Sequence, residues 1–486
     1  MRDGEGEKIL VLANRTNCET VIPAERLEDI EGNYALELLT SDELEISCGH
    51  IVNDIAVGPF GSKLICIREE VPATPEMTRS AGVICHISSL PGGTIGRPAR
   101  DFVDYIVSAG FKNWQILPLN PPGIGDSPYS SYASMAGNPQ FIDRNELPDM
   151  SGYDEFCREN EKWLESYVKY AAGDNGEATE QKRIEQYYFA VQWSRLKEYA
   201  NSKGVMIIGD LPVFVSADSA DTAAYGDLFR MDEEGHLRCH AGVPPDYFAV
   251  DGQDWGNPLY DWRKMKEDGY GWWTERLKQC FERYDYVRLD HFRSFSEYYA
   301  IPEGETPVNG TWQPGPGLEF FEKIKANLGV KGCLRIIAED LGQLDSGVYN
   351  LLKLSGFPGM NVYQFSADEM MAMSDKEMSR RVFYTGTHDN QTLLGWCRDS
   401  GMDEGDALAI IRKLYECDVP WVMLQIQDVF MLGDEARINV PGVAEGNWKW
   451  KIPGDSIKEG IRHADKIAAA FRKLAVETGR AGDGNA

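Results

Sequence analysis

The sequence predicts an α/β chain, a (β/α)8 barrel with large inserted loops and helices, preceded by a small all-β region. Three observations carry this. Eight short apolar runs recur after about residue 80, separated by long segments with helical spacing of apolar residues. Parallel strands covered on both faces by crossover helices read as such continuous apolar runs. Polar residues gather at the ends of the runs, at Asp210, Asp290, Glu339 and Asp389. Reactive groups of a parallel barrel sit at the C-terminal ends of its strands. The first 70 residues have a different texture, with short strand-like pieces and turns. Pattern alone leaves a doubly wound sheet open as the alternative.

In chain order, "KILVLANRT", "YALELLT", "LEISCGHIVN" and "SKLICIRE" read as strands, with Gly-Pro-Phe-Gly (58–61) as punctuation. They make residues 1–70 a β-sandwich-like domain. "VPATPEMTRS" (71–80), with two prolines and small polar residues, marks a linker over 71–78, and residues 79–486 form the barrel. Its strands are read in "GVICHISSL" (82–90), "NWQILPLN" (113–120), "GVMIIGDLPV" (204–213) and "DYVRLDHF" (285–292). The remaining four are "CLRIIAED" (333–340), "GMNVYQF" (359–365), "RVFYTGTHD" (381–389) and "WVMLQIQDV" (421–429). Between them, stretches such as "RIEQYYFAVQWSRLKEYANSKG" (183–204) carry the helical period.

The bulk properties narrow the function. Lys+Arg number 49 and Asp+Glu 77 in 486 residues, a formal net charge of −28. Such a chain repels nucleic acid and anionic membranes, so a neutral partner suits it better. The charge by itself need mean no more than solubility. Ten cysteines stand singly with no CxxC pair, the N-terminus lacks an apolar signal core, and no apolar run is long enough to span a membrane. A reduced, cytoplasmic protein is the expectation. The seven histidines show no HExxH or paired-ligand spacing, so no catalytic metal is expected. Gly123-Ile124-Gly125 lacks the rest of a phosphate loop and is crowded by prolines, so it reads as an ordinary loop.

The segment "YVRLDHFRSF" (286–295) carries the chemistry. Strand alternation puts Tyr286, Arg288 and Asp290 on one face and Val287 and Leu289 on the other. Arg288 one pleat below Asp290 favours the ionised carboxylate, which suits a nucleophile. Glu339 ends "RIIAED", sharing a face with Ile337, and a carboxyl above an apolar strand near a like charge tends to a raised pKa, which suits a general acid. Two carboxyls pushed apart in this way match glycosidic bond chemistry, although a plain ion pair at a strand end fits Arg288 and Asp290 as well. "GVPPDYFAVDGQDWGNPLYDW" (242–262) sets aromatic residues among Gly, Pro, Asp, Asn and Gln. Aromatic planes beside carboxamides and carboxylates match the C–H faces and hydroxyl edges of sugars. Tyr260 and Trp262 read as anchors of this loop; Tyr247 and Trp255 are the better ligand candidates.

Together these motifs resemble the amylomaltases, bacterial 4-α-glucanotransferases (disproportionating enzymes, glycoside hydrolase family 77) of the α-amylase clan. The likeness runs from about residue 78 to 451. It includes "SSLPGGTIG", "SPYSSYASMAGNPQFID", "GDLPVFVSADSAD", "VRLDHFRSF", "IAEDLG", "GFPGMNVYQF", "TGTHDNQTLLGW" and "RINVPGVAEGNWKW", in the family's order. The resemblance implies Asp290 as nucleophile, Glu339 as general acid/base and Asp389 as the third carboxylate. It implies sugar contacts from Arg288 and His388, donor-side positions at Tyr129 and Asp210, and a site-lining Asn439. Asp246, Tyr247, Phe248, Gln253 and Trp255 match the loop that folds over the glucan. The implied substrates are α-1,4-glucans and maltooligosaccharides, and no metal or organic cofactor is needed. A hydrolase using the same carboxylates is the nearest alternative, and a non-catalytic starch-binding scaffold is a further one. Gln391 stands where an acidic residue is expected, Ser294 where glycine is expected and Lys451 where arginine is expected. Residues 1–70 look like the C-terminal β-sandwich of α-amylases, which suggests the second half of an amylase–glucanotransferase fusion; an independent starch-binding β domain is the rival.

Overall fold

All eight apolar runs form parallel strands in a computed structural model that describes residues 2–4, 7–173, 175–245, 250–342, 344–443 and 445–481. They are β1 (Ser80–Ile84), β2 (Asn113–Gln115), β3 (Met206–Leu211) and β4 (Tyr286–Leu289). Then come β5 (Ile336–Ala338), β6 (Gly359–Val362), β7 (Arg381–Tyr384) and β8 (Trp421–Gln425). Strands pair in chain order, and β8 returns to β1 in the register Ser80↔Trp421 to Ile84↔Gln425. That circular order settles the topology as a barrel and removes the doubly wound alternative. The β5–β6 junction has no ladder of its own. There the Ala338 amide donates to the Pro358 carbonyl (2.9 Å), and the Met360 amide donates to the Asp340 carboxylate (2.7 Å).

Alternation along the strands builds two cores. Tyr286 and Ile337 point inward and pack with Ile84, Ile208, Val382 and Tyr384, so the barrel is filled rather than hollow. Val287, Leu289, Ile336 and Ala338 point outward into the core shared with the helices, which includes Trp273 and Leu277. The surrounding helices start and stop on local signals. Gly176–Ser202 begins at Asn175, whose side chain accepts from the Ala178 amide. Ser346–Ser355 begins at Asp345 and ends at Gly356, whose φ of 75° takes the left-handed conformation that glycine tolerates.

The 242–262 segment is not a plain loop. Cys239–Val243, Gln253–Pro258, Glu297–Pro302 and Thr311–Pro314 form a four-stranded antiparallel sheet beside the barrel. Gln253–Pro258 is largely exposed, so its strand residues are polar and carry no apolar alternation. Tyr260 is buried and its hydroxyl donates to the Val213 carbonyl (2.7 Å), as expected of an anchor.

The N-terminal stretch is β-rich. Its main sheet is antiparallel, with Glu7–Ala13, Ser62–Arg68 and Tyr34–Glu37 adjacent, over a separate apolar cluster that includes Leu10, Ala35, Ile55, Ile65 and Ile67. It touches the barrel through Glu43, which pairs with Lys376 (2.7 Å) and Arg380 (2.6 Å), and through Leu38, whose carbonyl accepts from Asn350 (2.7 Å). Residues 71–78 carry no regular secondary structure. Met77 packs against the barrel's inner core, and the Tyr286 hydroxyl donates to the Glu76 carbonyl. Among the described residues no helix is long and apolar enough to cross a membrane.

Gly209, in the middle of β3, lies against the buried Tyr284 ring: an added Cβ would sit 2.1 Å from its Cδ2. Gly209→Ala is expected to destabilise the fold by about 1–3 kcal/mol, read as a lower denaturant midpoint with an unchanged slope.

Candidate active site

The register of β4 against β5 pairs Leu289 with Ala338. Asp290 and Glu339, the next residues, therefore leave adjacent strands side by side, with the strands about 4.8 Å apart. Both backbones are still held at this point: the Asp290 amide donates to Leu211 and the Glu339 amide to Leu289, each at 3.0 Å. His291 then enters the left-handed region (φ 49°), costly for a residue with a Cβ. In that conformation its amide donates to Glu339 Oε2 (2.8 Å), while the Leu341 amide donates to Oε1 (2.9 Å). Burial pushes the Glu339 carboxyl up to about 7; Asp290 adds to the rise, and Arg288 and the two amides oppose it.

The Arg288 guanidinium is buried below this pair. Its Nη1 lies 2.9 Å from both Asp210 oxygens and 2.9 Å from Asp290 Oδ1. Burial opposes its charge, but Asp210 and Asp290 outweigh burial and hold its pKa well above the usual arginine value. Asp210 continues the chain of contacts. It accepts from the Tyr129 hydroxyl (2.6 Å), whose pKa burial and Asp210 raise so that it stays a donor. The Tyr129 hydroxyl is also 3.3 Å from His388 Nδ1, and the two rings stack at 4.8 Å. His388 Nε2 reaches Asp389 Oδ2 (3.2 Å), and Asn439 donates to Asp389 Oδ1 (2.6 Å). Partial loss of water in the mouth would raise the pKa of the half-exposed Asp389, but His388 and Asn439 hold it below the usual carboxylate range.

The described residues among those singled out in the sequence thus fall in and around one mouth. Trp255 packs edge-on to the ring of His291, the residue after Asp290, at 4.9 Å, and its indole donates to Gln253 Oε1 (3.1 Å). Asp246, Tyr247 and Phe248 lie outside the described residues. Three participants were not singled out. Trp448 closes on Tyr129 and His388, with ring centroids 6.0 and 5.9 Å away. Arg437 donates to the Asp389 carbonyl (3.2 Å). His86 is buried and neutral, its pKa pushed down to about 3 by burial and by His388. Trp448 had a signal, an aromatic residue in the Gly/Asn-rich "AEGNWKW"; the other two had none. Gln391 donates to both Asp399 (2.7 Å) and Asp434 (2.8 Å), so an acidic residue there would meet two like charges. Among the described residues, no cluster of three or more His, Cys, Asp or Glu side chains is arranged to hold a metal ion.

Replacing Arg288 with Met leaves the buried Asp210 carboxylate without its cation, beside the partly exposed Asp290. Loss of one partner from such a pair costs about 3–5 kcal/mol. The burial-raised Asp210 fixes the sign: without its cation this carboxyl favours the protonated form, so Arg288→Met should be most destabilising near neutrality and less so as pH falls. Thermal unfolding of both proteins from pH 7.5 down to about pH 5 reads this directly.

Comparison with known proteins gives a consistent answer. The sequence profile of a family described as 4-alpha-glucanotransferase, glycoside hydrolase family 77, matches residues 85–152 and 174–457. A 4-alpha-glucanotransferase of Streptococcus pneumoniae is 36% identical over 482 residues, covering 79% of this chain and 95% of that protein. One from Thermus thermophilus is 35% identical over 502 residues, covering 82% and 100%. A solved structure of amylomaltase from Streptococcus agalactiae in complex with acarbose matches with a TM-score of 0.75 at 31% identity, covering 83% of this chain and 100% of that one. With its profile, its relatives and its barrel in agreement, this chain belongs to the 4-alpha-glucanotransferase family, glycoside hydrolase family 77.

Proposed function

We propose that this protein moves segments of α-1,4-glucan from a donor chain to a maltooligosaccharide or glucose acceptor by a retaining double displacement. The observation that carries the reading is the pair of side-by-side carboxyls in different environments. Asp290 is ion-paired to a buried guanidinium, and Glu339 has its pKa pushed up to about 7. Glu339 gives its proton to the glycosidic oxygen as Asp290 attacks the anomeric carbon from the opposite face. The C–O bond to the leaving sugar breaks and a β-glucosyl ester forms on Asp290. Glu339, now ionised, takes the proton from a 4-hydroxyl of the acceptor, which displaces Asp290; two inversions give net retention. Asp389, tied to His388 and Asn439, binds hydroxyls of the distorted ring. Tyr129 lines the donor side, with the buried Asp210 holding it from behind, and Trp255 with Gln253 covers the mouth. Transfer wins over hydrolysis when this cover keeps water from the ester until a sugar docks.

The assignment extends to place and parts. A reducing, cytoplasmic setting is supported by ten cysteines that are all unpaired. Residues 1–70 are read as a separate β domain, supported by their own apolar cluster.

Incubation with maltotriose alone is the test. Glucose should appear together with maltopentaose and longer chains at constant total reducing ends, and Asp290→Asn should abolish both. Shorter sugars only, with rising reducing ends, would make the protein a hydrolase; no reaction would make it a binding scaffold. The same assay gives the pH dependence. Glu339 must be protonated to act first as an acid, so kcat/KM should fall as pH rises through about 7. Glu339→Gln should remove that limb and lower kcat by about a hundred- to ten-thousandfold.

A further inference from the structure

A cavity of about 1060 Å3 opens on the flank of the barrel, over the β5–β6 junction. Met360 and Asn361 of β6 form its floor. One wall is helix Ser346–Ser355, through Tyr349 and Lys353; the other is helix Tyr363–Ala372, through Phe365 and Glu369. Glu43 of the N-terminal sheet closes one end, and the Leu341–Gly342 turn forms the inner edge. The Leu341 amide is one of the two that hold Glu339, so this edge is the back of the proposed acid's own loop.

We propose that this cavity is a second carbohydrate site, binding a stretch of α-1,4-glucan adjacent to the catalytic mouth. The inference rests on the reading of that mouth as a glucan site. Its volume is that of a pocket for a sizeable small molecule. The charges around it are largely matched within the protein: Glu43 holds Lys376 and Arg380, Asp340 holds Arg381, and Glu377 closes a capping box with Ser374. Few of these charges are left to recognise an ionic ligand, so a neutral one is favoured. Two aromatic rings stay in solvent there, Phe365 at 64% and Tyr349 at 43% exposure. Gln364 and Ser366, both half-buried, also line the cavity. The Gln364 amide nitrogen is taken by the Thr385 and Gln391 carbonyls (3.3 and 2.9 Å) and the Ser366 hydroxyl donates to the Val362 carbonyl, so the acceptor lone pairs of these groups and the Tyr349 hydroxyl are what remain for a neutral ligand. Exposed aromatic planes next to neutral hydrogen-bonding groups present to a sugar chain what its C–H faces and hydroxyl edges need. The N-terminal sheet supplies part of the wall, so this site would make chain-length preference depend on residues 1–70.

The test is calorimetric titration of the full chain with maltoheptaose, in the Asp290→Asn background to suppress turnover. Two binding events are expected. Adding Tyr349→Ala should weaken one of them by about tenfold or more, and Tyr349→Phe, which keeps the ring, should restore it. A single event that Tyr349→Ala leaves untouched overturns the second site while the mouth stands. Absence of binding in every variant overturns the second site and the glucan reading of the mouth together. Two events that are both insensitive to Tyr349→Ala also overturn the assignment to this cavity.

Discussion

A buried guanidinium held between two carboxylates organises everything at the mouth of this barrel. Arg288 is the point where β3 and β4 are joined chemically as well as by their ladder, because it takes Asp210 from one strand and Asp290 from its own. Neither the Asp210 carboxylate nor the guanidinium could be buried cheaply without the other. Together they fix the height and direction of Asp290. From Asp210 the order passes outward through Tyr129 and His388 to Asp389 and Asn439. Residues drawn from β3, β4 and the loops that follow β2, β7 and β8 thus form one hydrogen-bonded chain anchored at a single charge.

The three carboxyls show how environment assigns roles to similar groups. Glu339 loses enough water to raise its pKa, and the two backbone amides that grip it do not offset that loss. Asp389 has a histidine and a carboxamide as partners and is held ionised. The left-handed turn at His291 is part of this division. The strain of φ 49° is borne locally, and it delivers to Glu339 an amide that an extended strand would have directed elsewhere.

Much of this was legible before any coordinates. Strand alternation placed Tyr286, Arg288 and Asp290 inward and Val287 and Leu289 outward, because a barrel strand has only two faces and the apolar helices claim one. The contacts that cross the barrel were not legible. No period links Tyr129 to Asp210, 81 residues away, or Asn439 to Asp389, 50 residues away; only closure of the sheet brings them together. The Gln253–Pro258 strand was missed because an exposed strand lacks the apolar alternation by which strands are recognised. Gln391 looked like a departure from an expected acidic residue. Its reason lies in Asp399 and Asp434, which reach it from other parts of the chain.

The β5–β6 junction has one more consequence. Backbone ladders do not depend on which side chains a strand carries, so most of the barrel's closure is indifferent to single substitutions. At this junction a side chain stands in for the main chain: the Asp340 carboxylate accepts the Met360 amide where a ladder carbonyl would otherwise do so. Beside the one backbone bond from Ala338 to Pro358, the join of the ring at this point therefore depends on the identity of one residue, directly after Glu339. Two neighbouring codons then specify a closure contact of the scaffold and the buried carboxyl of Glu339, and a drift at Asp340 would be felt at Glu339.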